Sequence, residues 1–138
     1  MIEAVPFRFK LDPHSGVPVY RQIIDQVQAG LASGTLVRGD QLPTVRQVAV
    51  DLEINPNTVL RAYRELEIRG VLDTQQGTGT FVSDRPVAEN DSERARKLEQ
   101  LVNDVIARAG AGGFTLREVT EALQERLDGS PEPKKRTK

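Results

Sequence analysis

Asn57, Thr58 and Arg61 stand close together in Asn57-Thr58-Val59-Leu60-Arg61, and each carries groups suited to the edge of a base pair. An asparagine amide can pair with the edge of adenine, and a guanidinium with that of guanine. The chemistry on offer is recognition, with no bond made or broken. A second polar group, Gln76, Gly77 and Thr78, follows at a glycine-rich turn and could touch phosphate or the minor groove. Bond-making chemistry lacks its parts. There is no cysteine, and His14 is the only histidine. No Ser-His-Asp order, HExxH or GxxxxGK[ST] stretch is present. His14 sits in Asp12-Pro13-His14-Ser15-Gly16 and reads as a turn residue rather than a metal ligand. The expectation is a protein that is not an enzyme and needs no metal or cofactor.

Two helices must present the first group. Thr44 caps the earlier one, and Gln47 three residues on completes a capping box. Val45, Val48, Ala49 and Leu52 share one face of that helix. After a turn at Glu53-Ile54, Asn55 caps a second helix and Pro56 takes its first position, where a missing N–H costs nothing. Val59, Ala62, Tyr63 and Leu66 should face inward, leaving Asn57, Thr58, Leu60, Arg61 and Arg64 outside. Gly70 ends the helix. In such a pair the second helix can enter the major groove, and its amino end offers unpaired N–H groups to phosphate. The plainer reading is a solvated polar face; it has most force for Arg64, beside Glu65 and Glu67.

Past Gly70 the period changes. Val71-Leu72-Asp73-Thr74 and Thr80-Phe81-Val82 are β-prone, and Gln75 to Gly79 joins them as a two-stranded wing. So small a hairpin must pack on the helices, most simply through Leu72 and Phe81.

These pieces resemble the winged-helix domain of the GntR family of bacterial transcription regulators. The resemblance rests on Gly39-Asp40-Gln41-Leu42-Pro43-Thr44-Val45-Arg46, Asn57-Thr58-Val59, Tyr63-Arg64-Glu65-Leu66-Glu67 and Gln76-Gly77-Thr78-Gly79-Thr80-Phe81-Val82. With the opening Pro18-Val19-Tyr20-Arg21-Gln22-Ile23 it reaches from about residue 17 to 83. It implies DNA contacts at Thr44, Arg46, Asn55, Asn57, Thr58, Arg61, Gln76 and Gly77. Many family members carry Arg at the places of Pro56 and Leu60, so those two contacts are not carried over. The Asn55-Pro56-Asn57-Thr58 variant is similar to the small YtrA-like branch.

With 138 residues the chain allows one ordinary domain, or a small domain with an appendage. Its formal net charge is −1, and over residues 1–85 acidic residues slightly outnumber basic ones. Any DNA face must therefore be a local patch, with salt-sensitive binding. No apolar run approaches the ~20 residues that span a bilayer, and no signal-peptide pattern opens the chain. A cytoplasmic protein without membrane contact is expected.

Phe7, Phe9 and Leu11 alternate with polar residues, as in an irregular segment or a short edge strand. A helix from Pro18 to about Ser33 carries an apolar stripe of Tyr20, Ile23, Ile24, Val27 and Leu31, and Gly34 ends it. Residues 86–91 read as a linker. A helix over 92–109 places Leu98, Leu101, Val102, Val105 and Ile106 on one side. Gly110 to Gly113 is a flexible break. Thr115 and Glu118 then cap a last helix with Leu116, Val119, Ala122, Leu123 and Leu127 on its apolar side. Residues 129–138 read as a disordered basic tail.

Two such helices cannot bury their stripes against each other alone. Leu98, Leu101, Val102, Val105, Ile106, Leu116, Val119, Leu123 and Leu127 are therefore expected to form a dimer contact, with packing back onto the same chain as the competing arrangement. A symmetric dimer sets two recognition helices about 34 Å apart, one turn of DNA. So short a region cannot enclose a usual metabolite pocket, which leaves two alternatives: a small-molecule effector in a groove of the dimer, or none.

The expected fold class is thus α+β and mainly helical, with an N-terminal winged helix-turn-helix domain over 1–85 and a two-helix dimerization region over 92–128. The expected function is a sequence-specific regulator, a repressor that binds a palindromic operator in double-stranded DNA as a homodimer. The alternative is a winged-helix module for protein contact without specific DNA binding, which the near-neutral charge favours.

Overall fold

The computed structural model describes residues 7–84 and 90–129, which fall into two units on either side of residues 84 and 85. In the first unit the chain runs α1 (Val19–Ser33), β1 (Gln41–Leu42), α2 (Val45–Leu52), α3 (Pro56–Ile68), β2 (Leu72–Gln75) and β3 (Gly79–Val82). The second holds α4 (Asp91–Ala111) and α5 (Leu116–Leu127). The fold is a mainly helical α+β arrangement with an N-terminal winged helix-turn-helix.

Local signals set the ends of these helices. Thr44 accepts a hydrogen bond from the Gln47 N–H while the Gln47 side chain accepts one from the Thr44 N–H, the reciprocal box that satisfies two orphan donors. Asn55 accepts from the Asn57 N–H, and Pro56 opens α3. Gly34 adopts a left-handed conformation after α1, and Gly70 does so one residue beyond the Arg69 cap of α3. The tight turn between α2 and α3 places Glu53, a residue with a Cβ, at φ 57. Its N–H bonds back to the α2 carbonyls of Ala49 and Val50, which offsets the steric cost of that conformation.

One core unites this unit. Ile23, Ile24 and Val27 from α1 meet Val59, Ala62, Tyr63 and Leu66 from α3, with Val48 and Ala49 from α2 and Leu72 and Val82 from the sheet. Each of the large aliphatic side chains here is almost wholly buried and contributes about 1.5–3 kcal/mol. Helix α3 is thereby fixed along its inner side, and its outer side carries the exposed Asn57, Arg61 and Arg64.

The sheet departs from the expected two strands. β1 adds to β3 antiparallel, giving the order β1-β3-β2. The wing packs through Leu72 and Val82, not through Leu72 and Phe81. Leu72 stands opposite Val82 and Asp73 opposite Phe81, so Phe81 belongs to the other face of the sheet and is only half-buried.

Residues 7–16 form no strand. Gln26 accepts from the Lys10 N–H at 2.9 Å and donates to the Lys10 carbonyl at 2.6 Å. One turn earlier, Gln22 accepts from the Asp12 N–H at 2.8 Å and donates to the Asp12 carbonyl at 3.0 Å. Two side-chain amides on α1 thus take the place of a neighbouring strand. Phe7 and Phe9 pack edge to face beside the core, with ring centroids 5.1 Å apart.

In the second unit α4 starts at Asp91, a residue read from composition as linker. Asn90 caps the helix by accepting from the Glu93 N–H, and Asp91 and Glu93 sit favourably at its positive end. Gly110 lies inside α4 rather than in a break, and the turn is confined to Gly112 and Gly113. Thr115 and Glu118 form a full capping box for α5. The linker over 86–89 and the tail over 130–138 lie outside the described residues.

Candidate nucleic-acid interface

Helix α3 offers its amino end with no acidic residue in the first turn, so its positive pole meets no neutralising charge there. Asn55 and Asn57 are exposed on this end and Thr58 is half-exposed. Asn55 Oδ1 is committed to the cap, at 2.8 Å from the Asn57 nitrogen, which leaves its amide N–H₂ as the outward group. The Thr58 N–H bonds to the Asn55 carbonyl at 3.0 Å. The cap therefore orients the residues beside it.

Arg61 lies one turn further on and is exposed. Its guanidinium stacks over the Tyr20 ring of α1, 3.8 Å from the ring centroid. The planar cation and the electron-rich face attract, and the contact narrows the rotamers open to a long side chain. Thr44 and Arg46 are exposed at the start of α2, and Thr44 Oγ1 is held by the Gln47 N–H at 3.0 Å. Gln76, Gly77 and Thr78 are exposed at the turn between β2 and β3, where Gly77 has φ 77. That backbone conformation favours glycine over any residue with a Cβ.

The two helices are locked by a contact that helical periodicity does not disclose. Tyr63 Oη donates to the Pro43 carbonyl at 2.6 Å, joining the middle of α3 to the residue before the α2 cap. Burial pushes the Tyr63 phenol above its usual range. On the far side of α3, Thr74 of β2 donates to the Glu67 carboxylate, and Thr74 and Thr80 hydroxyls lie 3.3 Å apart across the hairpin. The wing is thus tied to α3 by side chains as well as by the core.

Sequence reasoning missed Tyr20 and the Tyr63 hydroxyl as members of this arrangement. Tyr20 and Tyr63 were legible as apolar stripe members, but their partners lie far away in sequence.

In the second unit, Leu98, Leu101, Val102, Val105 and Ile106 of α4 are between 37 and 61% exposed. Leu116, Leu123 and Leu127 of α5 are between 51 and 63% exposed, and Val119 is half-buried. Only Ala109 among the described residues of this unit is buried. Among the described residues no group of three or more His, Cys, Asp or Glu could hold a metal ion. None of the described helices is long and apolar enough to cross a membrane.

Residues 19–82 match the profile of the bacterial regulatory proteins of the gntR family. The chain is 34% identical over 116 residues to the HTH-type transcriptional repressor YtrA of Bacillus subtilis, across 84% of this chain and 89% of that protein. Among solved structures it is similar to a transcriptional regulator from Oenococcus oeni, at 34% identity and TM-score 0.54, covering 85% of this chain and 97% of the other. A further similar structure is YtrA from Sulfolobus acidocaldarius, a GntR-family transcription factor. There the identity is 31% and the TM-score 0.53, with 75% of this chain and 97% of the other covered.

Proposed function

Because this chain belongs to the GntR family of bacterial regulatory proteins, we propose that it is a homodimeric repressor that reads a palindromic operator with two copies of α3. That it is a transcriptional regulator with a DNA-binding helix-turn-helix follows from the family. The finer reading rests on one observation above others: the capped amino end of α3 faces outward with Asn55, Asn57 and Thr58, and the core holds the opposite side of the same helix. Arg46, Asn55, Asn57, Thr58 and Arg61 read and position the DNA. Thr44 and the wing residues Gln76, Gly77 and Thr78 support them at the backbone.

The apolar stripes of α4 and α5 supply the contact between protomers. Their exposure within their own unit supports this, since a stripe of that extent is costly in water. A dimer places the recognition helices about one DNA turn apart. Occupancy of a promoter then blocks polymerase in the cytoplasm without chemistry. The repressor role is supported by the name of the Bacillus subtilis relative, which aligns along most of its length.

The test is binding to the promoter DNA upstream of the chain's own operon across a salt series, beside Asn57→Ala and Arg61→Ala. Tight, salt-sensitive binding to a two-fold site is expected, with a loss of about 1–3 kcal/mol for each variant. Binding no stronger than to random duplex at low salt would instead favour the protein-contact reading.

A further inference from the structure

The wing tip is held from an unexpected side. Gln41, on β1, extends its side chain toward the start of β3 and donates from Nε2 to the Thr78 carbonyl at 3.1 Å, bridging 37 residues of sequence. Its backbone pairs with Phe81, so the strand ladder fixes where this reach begins. Gly79 makes the approach possible. A Cβ at that position would lie 2.5 Å from Gln41 Nε2, and Gly79 has φ 136, where side chains are strained. Only a glycine lets the amide come this close to the hairpin backbone. The turn itself is closed by the Thr78 N–H on the Gln75 carbonyl at 3.0 Å, so Gln41 adds a restraint from outside the hairpin.

We propose that Gln41 is a positioning residue for DNA binding: its amide holds the Thr78 carbonyl and so sets where Gln76, Gly77 and Thr78 meet the DNA backbone. This rests on the reading of the wing as a DNA contact. Strand β2 is tied to α3 at Thr74 and Glu67, midway along the hairpin. The tip beyond that point would otherwise be a short, exposed turn free to sway. With Gln41 in place the ordering entropy of the tip is met before DNA arrives, which favours binding. Gln41 acts on β1 and the tip alone, and leaves the recognition helix unchanged.

The variant that isolates this is Gln41→Met, close in size and neutral, without the donor. In the free protein, backbone 15N relaxation should show greater mobility at Gln76 to Thr78 and no change in α3. The melting temperature should fall by roughly 4–8 °C, the shift that loss of one net hydrogen bond gives in a domain of this size. Operator affinity should fall about fivefold, the worth of one net hydrogen bond. In a Gln76→Ala background the same change should cost clearly less than fivefold, because one of the contacts it positions is already gone. Unchanged tip mobility in Gln41→Met would overturn the proposal whatever the DNA result. So would a fivefold loss that persists undiminished beside Gln76→Ala. If Gln76→Ala alone leaves affinity intact, the wing reading fails, and the relaxation result still decides whether Gln41 orders the tip.

Discussion

The Tyr63 hydroxyl lies 2.6 Å from the Pro43 carbonyl and is the polar fastener between the two helices of the helix-turn-helix. Its phenol is buried among apolar groups, so the oxygen can be satisfied only by this bond or by water that would have to enter. Tyr63→Phe keeps the ring and removes the fastener. It should lower stability by about 1–3 kcal/mol in urea unfolding, the cost of leaving the carbonyl without its donor. A smaller change would mean that water replaces the hydroxyl.

The same group gives an alkaline signature. Its folded pKa is raised by burial, so the neutral phenol is the form that the fold requires. That contribution is complete below the unfolded value of about 10 and is lost as pH rises above it. Wild-type stability should fall more steeply above about pH 10 than that of Tyr63→Phe, measured as urea midpoints across the range.

Glu118 gives the opposite sign at the other end of the scale. Hydrogen bonds from the Thr115 N–H and hydroxyl favour its charged form and hold its carboxyl below the usual value. The stability it lends to α5 is present above the unfolded carboxylate pKa and is lost as pH falls through the lower folded one. Glu118→Gln should therefore flatten the acid loss of helicity seen by circular dichroism. An identical acid profile in the two proteins would count against this cap.

Arg61 and Tyr20 predict a coupling across α1 and α3. Tyr20→Leu keeps an apolar side chain and removes the stacked ring. An exposed cation–π contact is worth about 0.5–1 kcal/mol, so operator affinity should fall two- to fivefold, roughly. In an Arg61→Ala background the change should have no further effect. Equal losses in both backgrounds would mean that Tyr20 acts through the core alone.

The stripe of the second unit is tested by charge. Leu101→Glu places a carboxylate in the middle of an exposed apolar row on α4. Sedimentation velocity should report a monomer for the variant and a dimer for the wild type, with specific operator binding weakened by roughly a hundredfold or more as one half-site loses its tether. A monomeric wild type would remove the dimer reading outright.

Much of this arrangement was legible because its signals are local. Thr44 with Gln47, Asn55 with Pro56, and Thr115 with Glu118 announce helix starts within four residues, and each cap forms as its spacing implies. The inward face of α3 followed from its 3.6-residue period. What escaped depends on partners distant in sequence. A two-residue strand such as β1 has no period of its own and exists only because β3 returns to pair with it. The error at Phe81 was one of register: a shift by one residue exchanges the faces of a strand, so Val82 and not the larger aromatic stands across from Leu72. Gly110 was misread because glycine weakens a helix by about 1 kcal/mol without forbidding it. The contacts of Gln41 with Thr78 and of Arg61 with Tyr20 leave no mark in any short window.

The two glutamines of α1 carry one more implication. Lys10 and Asp12 are held to the domain by side-chain amides one helical turn apart, and not by a continuous ladder. Rotating Gln22 and Gln26 to other rotamers releases the hydrogen bonds at Lys10 and Asp12 without breaking a backbone bond of α1. In deuterated water the Lys10 and Asp12 amides should therefore lose their protons through this local opening, well before those of Ile23, Ile24 and Val27, which wait for the whole unit to unfold. The first described residues behave as a separate kinetic layer, held on the domain by two glutamine side chains together with the packing of Phe7 and Phe9.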